Sequence, residues 1–398
     1  MTVPRRTRIL IVDDSAVMRS LLRAVVNTDP HLEVAGTAAD GASALNFLQT
    51  SQPDLILLDV EMPVMDGLAT LRTLRQGWSR IPVIMCSSLT QRGAKVTIEA
   101  LAGGAADYVT KPSGQSDREI ALSKLAQELI PKIHALTTRP TEPSFPRQRF
   151  FIPGSSRVFT IPPASLQPAP GFLRGNPIAS ATQQIAAVPS IVVIGVSTGG
   201  PAVLDALLPA IPERFPLPVL IVQHMPELFT RLLAERLNKR CRLHVREASD
   251  GEPVRGGTIY IARGNWHMET VATALPDSPV TLRLDQGIQE NHCRPSVDVL
   301  FRSAANVYGS GVLAVVLTGM GSDGMKACHT IRELGGIVLA QDEATSAVWG
   351  MPGAVVNAGL ANKVLPLELI APEILRISAQ LSSSPASLVH DQIGQAVS

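Results

Sequence analysis

Two patterns of apolar and polar positions alternate along the chain. Short leucine-rich or β-branched runs end in polar or glycine residues, and stretches with apolar residues every three or four positions follow them. In the first part the runs are Arg8-Ile9-Leu10-Ile11-Val12, Glu33-Val34-Ala35, Asp54-Leu55-Ile56-Leu57-Leu58, Pro82-Val83-Ile84-Met85 and Asp107-Tyr108-Val109. Helical spacing follows the first run at Met18, Leu21, Leu22 and Val25, and helices are predicted over Gly41 to Gln49 and Gly67 to Gln76. Strand alternating with helix predicts a doubly wound parallel sheet. After Pro189 the alternation resumes, with strands predicted at 191–194, 219–222, 258–262, 312–317 and 337–339. Period-two segments at His267–Val271 and Val280–Leu284 predict an antiparallel hairpin inserted in this second α/β unit.

Between the two units the pattern breaks down. Leu125, Leu129 and Ile133 predict a helix leaving the first unit. From Thr137 to Pro189, prolines at 140, 143, 146, 153, 162, 163, 168, 170, 177 and 189 exclude helices and interior strands. The stretch reads as an extended linker, with Phe150-Phe151-Ile152 and Val158-Phe159-Thr160-Ile161 as its apolar exceptions. The expected organisation is a first α/β domain over 1–125, a helix exit and linker over 126–188, a second α/β domain over 189–383, and a flexible tail over 384–398.

Composition narrows the classes of function. The 398 residues suffice for two ordinary domains, and 45% hydrophobic content supplies their cores. A net charge of +1 without an extended Lys/Arg block gives no reason to expect a nucleic-acid partner. No apolar run approaches the length of a membrane span, and Asp13-Asp14 follow the first strand too closely for a signal-peptide core, so no membrane insertion is expected. Cys86, Cys241, Cys293 and Cys328 lack C-x-x-C spacing, so neither zinc nor a disulfide framework is indicated, and a reducing, cytoplasmic setting is expected.

Ligand sites of doubly wound sheets lie beyond the carboxyl ends of the strands. In the first domain those ends carry Asp13 and Asp14, then Asp59, Ser87 and Lys111. Three facing carboxylates repel one another and call for a hard divalent cation such as Mg²⁺. An ammonium and a hydroxyl nearby suit a phosphoryl group on the middle carboxylate. The landmarks Val12-Asp13-Asp14-Ser15, Leu58-Asp59-Val60-Glu61-Met62-Pro63, Asp66-Gly67, Cys86-Ser87-Ser88 and Thr110-Lys111-Pro112 resemble the receiver domain of two-component response regulators, a flavodoxin-like fold. The resemblance implies that Asp59 is the phosphoacceptor, with Asp13, Asp14 and the main chain of Glu61 around Mg²⁺. It further implies that Ser87, Tyr108 and Lys111 sense the phosphoryl group, and that the bond before Pro112 is cis.

In the second domain Ser190-Ile191-Val192-Val193-Ile194 leads into Gly195-Val196-Ser197-Thr198-Gly199, and a helix follows from Pro201. Such a turn exposes a nucleophilic serine, or simply binds an anion or closes a βα unit. A nucleophile needs a base and an orienting carboxylate. His224 ends the strand 218–222, and Asp323 lies in the Gly-rich loop Thr318-Gly319-Met320-Gly321-Ser322-Asp323-Gly324. That loop also offers backbone N–H groups for an oxyanion. His267, His292, Asp298 and Asp342 compete for these roles, and Cys293 lacks an activating turn.

The order Ser197, His224, Asp323 differs from that of ordinary α/β-hydrolases. Together with Val222-Gln223-His224-Met225-Pro226 and Arg294-Pro295-Ser296-Val297-Asp298-Val299-Leu300-Phe301, the Ser197 and Asp323 loops resemble the catalytic domain of the chemotaxis protein-glutamate methylesterase family, a Rossmann-like parallel sheet. The resemblance implies hydrolysis of γ-glutamyl methyl esters and deamidation of glutamines on methyl-accepting chemoreceptors. Ser197 is then the nucleophile, His224 the base and Asp323 its orienter, with oxyanion donors at the backbone of Thr198 and Met320 and no cofactor for the esterase. It also implies a chemotaxis histidine kinase as phosphodonor and a receiver that covers the esterase site until Asp59 is phosphorylated. A non-enzymatic regulator with a vestigial triad, and an esterase for small-molecule esters, are the readings from other classes.

Overall fold

The computed structural model describes residues 5–78, 80–88, 90–112, 118–137, 189–272 and 279–379. The linker's apolar exceptions, the tail and most of the proline-rich stretch therefore lie outside the described residues. The first half runs β1 (Thr7–Val12), α1 (Ala16–Val26), β2 (Leu32–Ala38), α2 (Gly41–Thr50), β3 (Leu55–Asp59), α3 (Gly67–Gly77), β4 (Val83–Ser87), α4 (Gln91–Ala102), β5 (Asp107–Thr110) and α5 (Arg118–Thr137). Side-chain caps start four of these helices: Ser15, Asp40, Asp66 and Thr90 each accept a first-turn N–H.

The five strands pair in parallel in the order β2-β1-β3-β4-β5. The direction in which successive strands are added reverses between β1 and β3, and that switch point opens a crevice at their carboxyl ends, where Asp13 and Asp59 stand. Leu125, Leu129 and Ile133 of α5 pack with Ile9, Ile11, Leu57 and Ile84, so the predicted exit helix is part of this core.

The second half runs β6 (Ile191–Val196), α6 (Gly200–Leu207), β7 (Val219–Gln223), α7 (Glu227–Asn238), β8 (His244–Glu247), β9 (Thr258–Ile261), β10 (His267–Val271) and β11 (Thr281–Asp285). It continues with α8 (Val297–Tyr308), β12 (Val312–Val316), α9 (Met325–Glu333), β13 (Ile337–Gln341), α10 (Met351–Asn357), β14 (Lys363–Leu365) and α11 (Leu367–Ser378). Seven parallel strands are ordered β14-β13-β12-β6-β7-β9-β8, and β10-β11 form the predicted antiparallel hairpin. The edge strands β8 and β14 were not predicted. β14 is only three residues long, and β8 alternates over a short polar-rich stretch, Arg242 to Arg246, unlike the apolar runs of the other strands.

Here the switch point falls between β6 and β12, the strands that precede Ser197 and the Thr318–Gly324 loop. The two halves share apolar packing. Ala100, Leu101 and Tyr108 of the first belong to one buried cluster with Met225, Phe229 and Leu232 of the second. The Tyr108 and Phe229 rings stack with centroids 4.6 Å apart. The expected cis bond at Lys111–Pro112 is absent. The cis peptide bond among the described residues is Arg294–Pro295.

Candidate active site and carboxylate cluster

Ser197 occupies the turn after β6, tied across the switch point. Its N–H donates to the Thr318 carbonyl at 3.0 Å, and Gln223 Nε2 donates to its own carbonyl at 3.0 Å. Gly199 then adopts a left-handed conformation (φ 81°), where a Cβ would lie 2.6 Å from that of Ala347. Only glycine fits both conditions. At Gly319 a Cβ would stand 2.8 Å from Ser197 Cβ, so the β12 loop backbone passes directly beside the serine. The N–H groups of Thr198 and Met320 have no hydrogen-bond partner among the described residues, the state an oxyanion hole requires.

His224 follows β7, and its Nε2 lies 2.8 Å from Asp323 Oδ2. The buried Asp323 carboxylate also receives Val297 N–H on Oδ2 at 2.7 Å. Its Oδ1 receives Ser296 Oγ and Asn291 Nδ2, both at 2.8 Å, and Asp298 N–H at 3.1 Å. Burial opposes ionisation of Asp323, but His224 and the amides of Val297 and Asp298 hold its carboxyl well below the usual range. Burial likewise opposes the charged imidazole, yet the bond to Asp323 and the Cys293 sulfur push His224 up to about 9. Its other nitrogen, Nδ1, lies 3.8 Å from Cys293 Sγ. Ser197 and His224 line one cavity of about 370 Å³ but do not hydrogen-bond each other in this state. Catalytic hydrogen bonds often tighten only when substrate is bound.

The competing residues fall elsewhere. His267 is buried with both nitrogens engaged, by Ile288 O at 3.1 Å and Ser296 N–H at 3.3 Å. Asp342 accepts from Thr345. Asp298 opens α8, where it accepts Ala327 N–H at 2.7 Å and Asn291 Nδ2 at 2.8 Å, one step behind Asp323. His292 is exposed at the cavity rim.

Residues of the first half line the same cavity, among them Ala106, Asp107, Tyr108 and Lys132. Thr198 Oγ1 donates to Asp107 Oδ2 at 2.7 Å, and Gly199 N–H donates to the Ala106 carbonyl at 3.1 Å. Lys132 Nζ holds the other Asp107 oxygen at 3.4 Å and the Tyr108 carbonyl at 2.6 Å.

The carboxylate cluster lies at the opposite end of β5. Asp13, Asp14 and Asp59 bring ligand oxygens within 4.8 Å of one another. Lys111 Nζ lies 2.8 Å from Asp13 Oδ2 and 2.7 Å from Asp59 Oδ1. One ammonium against three carboxylates leaves the cluster negative, so the set fits a hard divalent cation. Burial pushes the Asp59 carboxyl up and Lys111 opposes it, with the net shift upward. Glu61 N–H approaches Asp59 Oδ1 at 3.4 Å. Ser87 is buried at the end of β4, and its carbonyl accepts Lys111 N–H at 2.8 Å.

Two family models match the chain: the response regulator receiver domain over residues 9–122 and the CheB methylesterase over residues 192–374. A protein-glutamate methylesterase/protein-glutamine glutaminase of Trichodesmium erythraeum is 45% identical over 93% of this chain and 98% of its own length. The chain belongs to this methylesterase family. A protein of the same name from a Nocardioides species is also 45% identical, over 93% of this chain and 94% of that one. The solved CheB methylesterase catalytic domain of Thermotoga maritima is 43% identical, with a TM-score of 0.46, covering 48% of this chain and 100% of that chain. Membership brings with it the usual Mg²⁺-dependent phosphorylation site of a receiver domain. No helix among the described residues is long and apolar enough to cross a membrane.

Asn291, Ser296 and Asp107 were missed by sequence reasoning. Ser296 sits in the Arg294–Phe301 landmark, and Asn291 just ahead of it. Asp107 had no signal beyond opening a strand, because its partner Thr198 lies 91 residues away.

Proposed function

We propose that this chain removes methyl groups from γ-glutamyl methyl esters of chemoreceptors, and amide nitrogen from particular receptor glutamines, under control of phosphorylation at Asp59. The observation that carries the reading is the 2.8 Å bond from His224 to a buried, multiply held Asp323 in the cavity that Ser197 lines. Ser197 Oγ attacks the side-chain carbonyl and its proton passes to His224. With Nε2 bound to Asp323, the accepting nitrogen is Nδ1. The N–H groups of Thr198 and Met320 stabilise the tetrahedral oxyanion, each worth about 3 kcal/mol of barrier. His224 returns the proton to the departing methanol or ammonia, then activates the water that frees glutamate. Ester and amide are attacked at the same kind of carbonyl, so one site serves both.

Asp13, Asp14, Asp59 and the main chain of Glu61 would hold Mg²⁺, which when bound neutralises charge on the phosphoryl oxygens. Ser87, Tyr108 and Lys111 respond to the phosphoryl group, which a chemotaxis histidine kinase supplies. The unphosphorylated receiver acts as the cover of the esterase site. That part of the reading is supported by the receiver residues in the cavity wall and by the Thr198–Asp107 bond.

The test is methanol release from methylated receptor. Ser197→Ala is expected to abolish it while leaving Asp59 phosphorylation intact, and near-normal release by that variant would rule out the nucleophile.

A further inference from the structure

Cys293 has no part in acyl transfer, yet its sulfur faces the imidazole nitrogen on which that chemistry depends. We propose that Cys293 and His224 Nδ1 together form a binding site for a borderline-soft divalent cation of the Zn²⁺ type, which occupies the base nitrogen and holds the hydrolase off.

Three features carry this. First, His224 is already arranged as a metal-ligating imidazole. Its Nε2 is bound to Asp323 at 2.8 Å, which fixes one ring proton there, so that the neutral imidazole turns its Nδ1 lone pair toward Cys293. A carboxylate behind the distal nitrogen is the usual support of a zinc-bound histidine. Second, the 3.8 Å between Cys293 Sγ and Nδ1 suits a shared ion. With Zn–S near 2.3 Å and Zn–N near 2.05 Å, the ion would subtend an angle of about 120°, close to tetrahedral. Thiolate and imidazole together select zinc-like ions over the oxygen-seeking Mg²⁺ of the receiver.

Third, the loop that carries the sulfur is held in place. Asn291 and His292 both take left-handed conformations (φ 52° and 62°), and Glu290 and Cys293 exchange backbone hydrogen bonds of 3.2 and 2.9 Å. Asn291 pins the loop to Asp298 and Asp323. Asp323 itself is not available as a direct ligand, because both oxygens are engaged by Asn291, Ser296 and the backbone of Val297 and Asp298. The ion therefore has two protein ligands, with its remaining positions open to the cavity. Such a site binds reversibly and inhibits. On binding near neutral pH, the Cys293 thiol and the imidazolium Nδ1 each release a proton to solvent, so affinity rises with pH.

The other cysteines are separable by chemistry. Burial raises the thiols of Cys86 and Cys328, and pushes Cys241 up to about 11.

Metal binding does not depend on the catalytic reading, whereas inhibition rests on His224 being the base. The test is titration of the full chain with Co²⁺, whose sulfur ligation gives a thiolate-to-metal absorption that carboxylate sites cannot produce. One equivalent is expected to develop the band, and Zn²⁺ to displace it. The band should be absent in folded Cys293→Ser and in Cys293→Ala. In His224→Gln, affinity should fall by at least the roughly 10- to 100-fold that loss of an outer partner costs. Zn²⁺ should inhibit methyl-ester hydrolysis by the unmodified protein, with EDTA reversing it, and each cysteine variant should lose that sensitivity relative to its own zinc-free rate. No band in the folded protein, or a band that persists in Cys293→Ser, overturns the site. A Cys293-dependent band without inhibition upholds the site and overturns His224 as the base.

Discussion

The Thr198 hydroxyl donates a 2.7 Å hydrogen bond to Asp107 Oδ2, joining the residue after the candidate nucleophile to the first residue of the receiver's last strand. β5 spans only Asp107 to Thr110, and Lys111 follows at once, with its ammonium on Asp13 and Asp59. One four-residue strand thus has the Ser197 turn at one end and the ammonium partner of the proposed phosphoacceptor Asp59 at the other. On the proposed reading, a phosphoryl group on Asp59 that re-aims Lys111 is expected to pull on the segment that holds Thr198.

Asp107→Ala is therefore expected to raise basal methanol release in the absence of any phosphodonor. A hydrogen bond to a charged group contributes about 1.5–3 kcal/mol, so the rise should be about tenfold or more. Lys132 keeps the Tyr108 carbonyl and Glu128 as partners, which favours a folded variant. Release at the unmodified basal rate from a variant with unaltered circular dichroism would remove Asp107 from the coupling.

Hydrolysis should climb with alkaline pH. With His224 at about 9, the neutral imidazole is the minor form near neutrality. In EDTA, kcat/KM should rise about tenfold per pH unit and level off above about pH 9. Stability runs the other way. The folded value lies above the unfolded value of about 6.5, so the stabilisation is complete below about 6.5 and is lost as pH rises through about 9. Melting temperatures of the unmodified protein and His224→Gln should thus converge at alkaline pH. A flat kcat/KM profile between pH 7 and 9 would show that His224 does not titrate as the base.

Chelation separates the two sites. EDTA should abolish stimulation by a small acyl phosphate donor, since on the proposed reading Asp59 accepts a phosphoryl group only with a divalent cation held beside it by Asp13 and Asp14. Basal hydrolysis by Ser197 should survive. Loss of basal methanol release on chelation would mean that the esterase itself requires a metal.

Much of this was legible because both sheets are parallel. Their central strands are largely apolar runs, and polar residues at run ends are brought to one edge, as with Asp13, Asp59, Ser87 and Lys111. Ser197, His224 and Asp323 were read in the same way, from three strand-end loops that the switch point brings together. What stayed hidden depends on packing between distant segments. Asp107 opens a strand like any other polar residue until Thr198 reaches it. Asn291 is an ordinary loop residue until α8 and the Asp323 loop surround it. Cys293 in sequence is a thiol without an activating turn, and its nearness to Nδ1 arises only from the tertiary path of its loop.

Asn291 supports the last prediction. Its Nδ2 bonds both Asp323 and Asp298, while its backbone sits at φ 52°, a conformation asparagine tolerates better than alanine does. Asn291→Ala removes the side-chain bonds and adds backbone strain, whereas Asn291→Gly removes the bonds without the strain. The Ala variant should therefore melt lower than the Gly variant, by about 1 kcal/mol of stability. Both should lose kcat alike, by about tenfold, with KM for receptor little changed, because each leaves Asp323 less firmly oriented toward His224. If kcat follows stability, falling in Ala but not in Gly, then Asn291 shapes the loop rather than positioning the carboxylate.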